Sequence, residues 1–151
     1  MNTRIAALGI AALFATACDR PDNRDAEARE ESVTVAPPAP RVSTIELGKQ
    51  ATANLRVTDP TSSFLSRDTV YLAVVTNNAT SDSRLSARWT YQDGAVIDSS
   101  GQNVARDAGT TSAVTQFRLV QEDGWPIGTY TVDIWLNDAP VGTRQFEVKR
   151  R

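Results

Sequence analysis

Residues 84–94 read RLSARWTYQDG and contain the clearest structural pattern of the chain. Apolar and polar side chains alternate there, as they do when successive residues of a strand point to opposite faces of a sheet. One face carries Leu85, Ala87, Trp89 and Tyr91, and the other carries Ser86, Arg88, Thr90 and Gln92. The Asp93–Gly94 pair that follows favours a tight hairpin turn. The stretch therefore predicts a half-buried strand of an antiparallel sheet, with a second strand after the turn.

Short β-rich runs separated by turn residues continue on both sides and indicate an all-β protein. They predict strands at Ser43–Leu47, Ala53–Val57, Asp68–Thr76, Ala95–Asp98, Ser112–Gln121, Gly128–Leu136 and Val141–Val148. Turns are predicted at Ser99–Gly101 and at Asn137–Asp138. No segment of this part has a sustained helical apolar period, so we expect little helix. The pattern predicts one antiparallel β-sandwich domain over residues 44–151, with about seven strands.

Two positions resemble the immunoglobulin-like sandwich. Trp89 lies in the middle of its strand, where this fold often keeps a buried tryptophan. In GWPIGTYTV, residues 124–132, Tyr130 matches the tyrosine-corner position and Gly128 precedes it by two residues. The domain lacks the paired cysteines of antibody domains and is similar to the cysteine-free immunoglobulin-like modules of bacterial envelope proteins. The resemblance covers about Phe64 to Val148. It implies a buried Tyr130 ring whose hydroxyl bonds to backbone in the corner.

The first 17 residues have the organisation of an export signal. Arg4 gives a short positive region, Ile5–Phe14 is an uncharged apolar run, and Ala15–Ala17 has the small-x-small form of a cleavage site. The apolar run is shorter than the roughly 20 residues that span a bilayer. Residues 1–17 are therefore predicted to be a signal peptide that is removed on export.

Cys18, the only cysteine, follows directly, and ATAC at residues 15–18 resembles the lipobox of bacterial lipoproteins. The resemblance implies that Cys18 receives fatty chains such as palmitate and anchors a protein that faces the periplasm. Ala15 departs from the pattern, which commonly has leucine there, and the ordinary signal peptidase cuts at the same bond. A free or intermolecular thiol on a secreted protein is the alternative. Asp19 slightly favours retention in the inner membrane.

Residues 18–43 are predicted to be a flexible tether. Residues 19–43 contain six acids and four arginines, and large apolar residues are almost absent. Such a segment cannot bury enough surface to offset the entropy of ordering it. Pro37, Pro38 and Pro40 favour an extended conformation. A flexible coil of this length spans about 25–30 Å, which would hold the folded domain away from the lipid headgroups.

The composition argues against several classes of function. The net charge is −2 with acids and bases mixed, so the chain lacks the one-sided basic patch of nucleic-acid-binding proteins. It has no histidine, which removes the commonest metal ligand and the usual general base near neutral pH. We find no zinc spacing, phosphate loop or nucleophile–base arrangement, so no enzyme, metal or cofactor is predicted. We expect a non-catalytic envelope lipoprotein that binds another protein or supports an envelope assembly. A glycan- or peptidoglycan-binding module is the alternative.

The strand at Gly128–Leu136 predicts a candidate surface for the partner. If Tyr130 points into the core, the alternation places Thr129, Thr131, Asp133 and Trp135 on the outside. The strand beside it in an immunoglobulin-like sheet would be residues 84–92, which places Arg88 on the same side. One interpretation is that Arg88 stacks on the indole, or that the linker covers it. The other is that Trp135 and Arg88 centre a binding surface, because tryptophan and arginine are enriched in binding hot spots.

Overall fold

The structure, a computed structural model, describes residues 35–106 and 109–150. The predicted signal peptide, the Cys18 lipid-attachment site and most of the predicted linker lie outside the described residues. The described chain forms eight strands: β1 (Arg41–Gly48), β2 (Ser63–Leu65), β3 (Val70–Asn77), β4 (Arg84–Tyr91), β5 (Val96–Asn103), β6 (Ser112–Leu119), β7 (Gly128–Leu136) and β8 (Ala139–Lys149). Within these residues no helix is present that could cross a membrane.

The strands form two sheets, with the orders β1-β3-β6 and β2-β8-β7-β4-β5. All pairings are antiparallel except that of β2 with β8. The chain crosses between the sheets after β1, β2, β3, β5 and β6, and the buried side chains lie between them. The predicted all-β sandwich is therefore confirmed, and its eight strands agree with the predicted number of about seven.

The folded part begins within the predicted linker. β1 starts at Arg41, ahead of the domain start that the sequence predicts at residue 44. Arg41 and Val42 pair with Asn77 and Thr76 of β3, and Val42 packs against the core. Because this pairing and packing already order the chain at Arg41, the strand includes the last residues assigned to the tether.

Several strands and turns lie where the sequence predicts them. β7 has the predicted bounds, and β4 ends one residue before its predicted end. At the β4–β5 hairpin, Gly94 has a φ of 87° and its N–H donates to the Tyr91 carbonyl oxygen at 2.8 Å. At the β7–β8 hairpin, Asn137 and Asp138 have φ values of 50° and 64°. Two central residues with positive φ are typical of the hairpin turn whose twist matches that of the strands.

The predicted strand at Ala53–Val57 is wrong. These residues form turns, Leu55 has a left-handed φ of 62°, and only an isolated bridge joins Ala51 to Val57. Val57 is nevertheless buried, whereas Leu55 is 43% exposed, so Val57 alone of these residues packs inward, without a ladder of hydrogen bonds. The three-residue strand β2, which brings Phe64 into the core, was not predicted from the sequence.

The predicted turn at Ser99–Gly101 is also wrong. β5 continues through these residues to Asn103, and Ser99, Ser100 and Gly101 pair with Arg88, Ala87 and Ser86 of β4. Serine and glycine are common in turns because of their local backbone preferences. Here pairing with a long neighbouring strand prevails over that preference.

Aromatic side chains fill much of the core. Five of them are at most 2% exposed: Phe64, Trp89, Trp125, Tyr130 and Phe146. The burial of Trp89 agrees with the sequence prediction. Tyr130 stacks on Phe146 with ring centroids 5.0 Å apart, and Trp125 meets Tyr130 edge-on at 5.2 Å. Such offset and edge-to-face contacts add to the stabilisation that burial alone provides.

Tyr130 forms the predicted tyrosine corner. Its hydroxyl donates a hydrogen bond of 2.8 Å to the carbonyl oxygen of Pro126. Burial, together with the neighbouring Tyr91, raises the pKa of Tyr130 to about 12. Gly128 has a φ of 150°, and a Cβ atom there would lie 2.7 Å from the Tyr91 hydroxyl. A glycine is therefore needed where the corner enters β7.

Side chains link the two sheets at their margins. Gln102 of β5 donates its Nε2 to the carbonyl oxygen of Gln116 on β6 at 2.7 Å. β5 and β6 are each the last strand of their sheet. Elsewhere, Arg144 Nε of β8 donates to the carbonyl oxygen of Ile45 on β1 at 3.1 Å. These bonds supplement the apolar packing between the sheets.

Candidate interaction surface on the five-stranded sheet

The five-stranded sheet presents a largely polar side away from the core. Most residues of this side carry hydroxyl, amide or charged groups, and the only aromatic side chain among them is Trp135. The register defines this outer face as Arg84, Ser86, Arg88 and Thr90 of β4; Val96, Ser99, Gly101 and Asn103 of β5; Thr129, Thr131, Asp133 and Trp135 of β7; and Thr143, Gln145 and Glu147 of β8.

The alternation along β7 places Trp135 on the outer face. Tyr130, Val132, Ile134 and Leu136 are buried, and Trp135 is only partly buried. Trp135 lies opposite Ser86 of β4 and Pro140 of β8, and the β7–β8 register shifts between Ile134 and Trp135. Such irregularities bend a strand and can re-aim a side chain. Trp135 therefore presents part of its indole to solvent near the β7–β8 hairpin.

The Trp135 indole has no specific partner within the described part of the chain. No hydrogen bond is made to it, and no aromatic ring or cation of these residues stacks on it. Trp125, by contrast, donates its indole N–H to the carbonyl oxygen of Asp68 at 2.9 Å. Because tryptophan N–H groups usually find a partner when buried, Trp135 has the properties of a surface contact residue.

Arg88 lies on the outer face between Asp133 of β7 and Ser99 of β5. It is exposed, and the stacking of Arg88 on Trp135 considered in the sequence analysis does not occur. Asp133 accepts a hydrogen bond of 2.6 Å from the Thr143 hydroxyl. Across residues 35–106 and 109–150, no ion pair joins Arg88 to Asp133 or to another carboxylate. The Arg88 guanidinium therefore remains available to a ligand.

Arg84 is a second cation of the outer face that the sequence analysis missed. Its guanidinium lies over Gly101, where a Cβ atom would be only 2.8 Å from the Arg84 Nη2 atom. Its Nη1 donates to Asn103 Oδ1 at 3.5 Å, and its backbone N–H donates to Asn137 Oδ1 at 2.9 Å. Two signals point to this position. Arg84 precedes Arg88 by four residues and so shares its strand face, and glycine within a strand often marks a close approach.

The chemistry of the outer face suits binding. Arginine guanidinium groups recognise carboxylates through paired hydrogen bonds, and an indole provides a flat apolar contact. The described ion pairs involve neither arginine of this face: Lys49 pairs with Asp68 at 2.8 Å, and Lys149 pairs with Glu147 at 3.3 Å. Among the described residues, no three His, Cys, Asp or Glu side chains are grouped to hold a metal ion.

The known proteins that resemble this chain identify its fold. No protein-family model and no curated protein sequence matches it. Among solved structures, the chain is similar to an immunoglobulin-like protein from Pseudomonas aeruginosa. The TM-score is 0.53 and the identity 14%, over 76% of this chain and 100% of that chain. The fold is immunoglobulin-like.

A weaker similarity is to the Pseudomonas fluorescens alkylpurine DNA glycosylase AlkC. The TM-score is 0.47 and the identity 9%, over 73% of this chain and 30% of that chain. These values are too low to indicate a shared fold or activity. An immunoglobulin-like fold hosts many functions, so the function has to be argued from the outer face.

Proposed function

We propose that this chain is a non-catalytic, membrane-anchored lipoprotein of the bacterial envelope, and that its immunoglobulin-like domain binds another protein or supports an envelope assembly. The export signal and the position of Cys18 support the anchor. The absence of histidine from the sequence supports a binding role over acid–base catalysis. The partner contacts the outer face of the five-stranded sheet.

The observation that carries this proposal is the environment of Trp135. A partly exposed indole on a polar sheet has no stacking or hydrogen-bond partner within the described chain, and two exposed arginines lie on the neighbouring strand. Tryptophan and arginine dominate binding hot spots, because one side chain buries a large area and the other makes several hydrogen bonds. Small polar residues around them, such as Ser86 and Ser99, form a rim that a partner can cover closely.

The first experiment measures capture of the native partner by Trp135→Ala. Envelope proteins that bind the wild-type chain are identified from solubilised membranes, and their affinity for each variant is then measured. We expect Trp135→Ala to weaken binding at least about tenfold, or 1.4 kcal/mol, while the domain stays folded. Tyr71→Ala is the matched control, because Tyr71 is a partly buried aromatic residue on the other sheet. Equal binding by wild type and Trp135→Ala would refute the proposed surface.

The same experiment separates a protein partner from a glycan. The hydroxyl and amide groups around Trp135 also suit a sugar ring stacked on the indole, so a glycan- or peptidoglycan-binding module is the second candidate. Purified peptidoglycan and its soluble fragments are tested against both variants. The glycan-binding function replaces the first proposal if these fragments bind in a Trp135-dependent way and no protein does so.

The anchor is tested by labelling cells with a fatty-acid analogue. We expect the wild-type chain to be labelled and to fractionate with membranes, because several acyl chains hold a protein stably where a single one is marginal. Cys18→Ser should carry no label, and cleavage after Ala17 by the ordinary signal peptidase should release a soluble form. A wild-type chain without label would contradict the anchor and leave the binding surface unaffected.

A further inference from the structure

The outer face carries two arginines, with the Trp135 backbone at the level between them. Arg84, Ser86 and Arg88 alternate along β4, and Trp135 is the direct neighbour of Ser86 on β7. Four residues of strand separate Arg84 from Arg88, which corresponds to about 13 Å between their Cα atoms. Along the direction of the strand, the backbone of Trp135 therefore lies level with the midpoint between the Cα atoms of the two arginines, and the Arg84 guanidinium reaches toward that level over Gly101.

The exposed Arg84 side chain lies in space that its neighbours on β5 leave open. Gly101 of β5 leaves the space in which the guanidinium lies, and Asn103 Oδ1 accepts from Nη1 at 3.5 Å. Glycine within a strand weakens it, because it adds conformational entropy to the unfolded chain and gives no side chain to pack. At this position it instead makes room for a cation on the surface of the sheet.

The charges of this part of the outer face are unbalanced. Arg84 and Arg88 form no ion pair with any described residue. Asp133 is the nearest carboxylate by register, and it is hydrogen-bonded to Thr143. Glu147 is paired with Lys149 at 3.3 Å on β8. Asp133 keeps its negative charge beside Arg88, so the strip formed by Arg84, Trp135 and Arg88 carries one net positive charge, and neither arginine forms an ion pair within the described chain.

We propose that the ligand of this strip is an acidic, extended peptide segment of the partner. Two carboxylates of the segment, four residues apart, bind Arg84 and Arg88, and the apolar side chain between them lies against Trp135. In an extended chain, residues i, i+2 and i+4 point to the same side and repeat with the spacing of β4 itself. A carboxylate–arginine contact adds bidentate geometry to charge. The inference rests on the proposed protein-binding function and specifies its chemistry.

Short peptides test the chemistry directly. The probe is Thr-Glu-Thr-Phe-Thr-Glu-Thr, and its controls replace both glutamates by glutamine or move the second glutamate by one residue to the other side of the chain. Binding to the full chain in detergent is followed by fluorescence anisotropy of the labelled peptide. We expect only the first peptide to bind, and its affinity should fall as salt screens the charges. No binding at about 1 mM peptide, or equal binding of all three peptides, would overturn the inference.

Variants of the full chain locate the binding. Arg84→Gln and Arg88→Gln should each weaken the probe peptide and the native partner at least about fivefold. Arg118→Gln should have no effect, because Arg118 is an exposed arginine on the other sheet. Gly101→Ala keeps Arg84 but places a methyl group where its guanidinium lies, so it should weaken the peptide in the same direction. Normal binding by both arginine variants would overturn the assignment.

Competition distinguishes the sources of negative charge. An oligogalacturonate that binds more tightly than the peptide, and with the same arginine dependence, would replace the peptide by an anionic glycan. If a synthetic peptide of residues 19–31 displaces the probe, the ligand of the strip is the acidic segment of this chain and not a partner. If Trp135→Ala loses the native partner while both arginine variants retain it, the peptide chemistry fails and the proposed function stands. If Trp135→Ala still binds the partner with wild-type affinity, both the peptide chemistry and the proposed binding surface are wrong.

Discussion

The outer sides of the two sheets differ in how their apolar residues are covered. We call the side of the three-stranded sheet that points away from the core the opposite face. By the strand register it consists of Thr44 and Glu46 of β1, Tyr71, Ala73 and Val75 of β3, and Val114, Gln116 and Arg118 of β6. Ala73 and Val75 point away from the core by alternation, yet they are only 2% and 7% exposed. On the outer face, Trp135 remains partly exposed.

The segment between β1 and β2 lies against the opposite face. Gln116, the register neighbour of Ala73, donates its Nε2 to the carbonyl oxygen of Leu55 at 3.3 Å. Residues 53–56 and the start of β6 line a common cavity of about 370 Å³. The chain between β1 and β2 thus contacts the opposite face beside Ala73, whereas Trp135 on the outer face is partly exposed. The comparison teaches that an outward apolar residue indicates a partner only where the chain itself does not cover it.

The largest expected effect tests the covered side. Val75→Asp places a carboxylate among buried apolar groups, where it has no partner, so we expect the free energy of unfolding to fall by at least about 3 kcal/mol. Ser99→Asp is the matched change on the exposed outer face and should alter it by about 0.5 kcal/mol or less. Urea denaturation measures both. Similar stabilities for the two variants would show that the opposite face is open as well.

The next effect concerns the corner that sets the phase of β7 and so turns Trp135 outward. Tyr130→Phe removes the 2.8 Å hydrogen bond from the buried Tyr130 side chain to the carbonyl oxygen of the exposed residue Pro126, which should cost about 0.5–1.5 kcal/mol of stability. Tyr71→Phe is the control, because the Tyr71 hydroxyl makes no comparable bond, and it should change stability by less than about 0.5 kcal/mol. An unchanged urea midpoint for Tyr130→Phe would contradict a structural role for the corner bond.

The dependence of stability on alkaline pH tests the burial of Tyr130 without a substitution. The pKa of Tyr130 rises from 10.0 to about 12 on folding, so folding disfavours the phenolate. The associated stability is fully present below about pH 10 and is lost as the pH rises through about 12, by up to about 3 kcal/mol. Wild type should therefore lose more stability than Tyr130→Phe over this range. Parallel pH profiles would show that other groups cause the alkaline loss.

The smallest expected effect is on the exposed side. Trp135→Ala should lower the free energy of unfolding by less than about 1 kcal/mol, because its indole is only partly buried and has no hydrogen-bond partner in the described chain. Trp89→Ala, the buried tryptophan of the neighbouring strand, should cost about 3–5 kcal/mol. Equal losses for the two variants would place Trp135 in a covered environment and remove the contrast between the two faces.

The sequence predicts most clearly the strands whose alternation is strict. β4 and β7 each carry apolar residues at every second position, so their bounds, their buried faces and the outward position of Trp135 follow from the pattern. The predictions fail where local composition and tertiary pairing disagree. Ser99–Gly101 has turn chemistry but pairs with β4, and Ala53–Val57 has strand-like alternation but packs as a turn-rich segment.

Parts of the core and of the outer face depend on contacts between residues distant in sequence, which no local sequence pattern indicates. Trp125 follows a glycine and precedes a proline, which indicates a loop, yet its backbone N–H and its indole both reach the turn before β3 at 2.7 and 2.9 Å. The role of Arg84 depends on Gly101, which is distant in sequence and becomes its neighbour only through the β4–β5 register. Trp135 and Arg88 could be placed on one face from the sequence. The same alternation places Arg84 on that face, but its packing over Gly101 required the structure.

The bond between Gln102 and the Gln116 carbonyl oxygen has a consequence for self-association. β6 is the last strand of its sheet, and a free edge of this kind offers its carbonyl oxygens and N–H groups to any extended chain it meets. The Gln102 amide occupies one of these acceptors in the middle of the strand, at 2.7 Å. A second molecule adding to this edge would have to displace that amide first, so a contact that joins the two sheets also protects the domain against edge-to-edge aggregation.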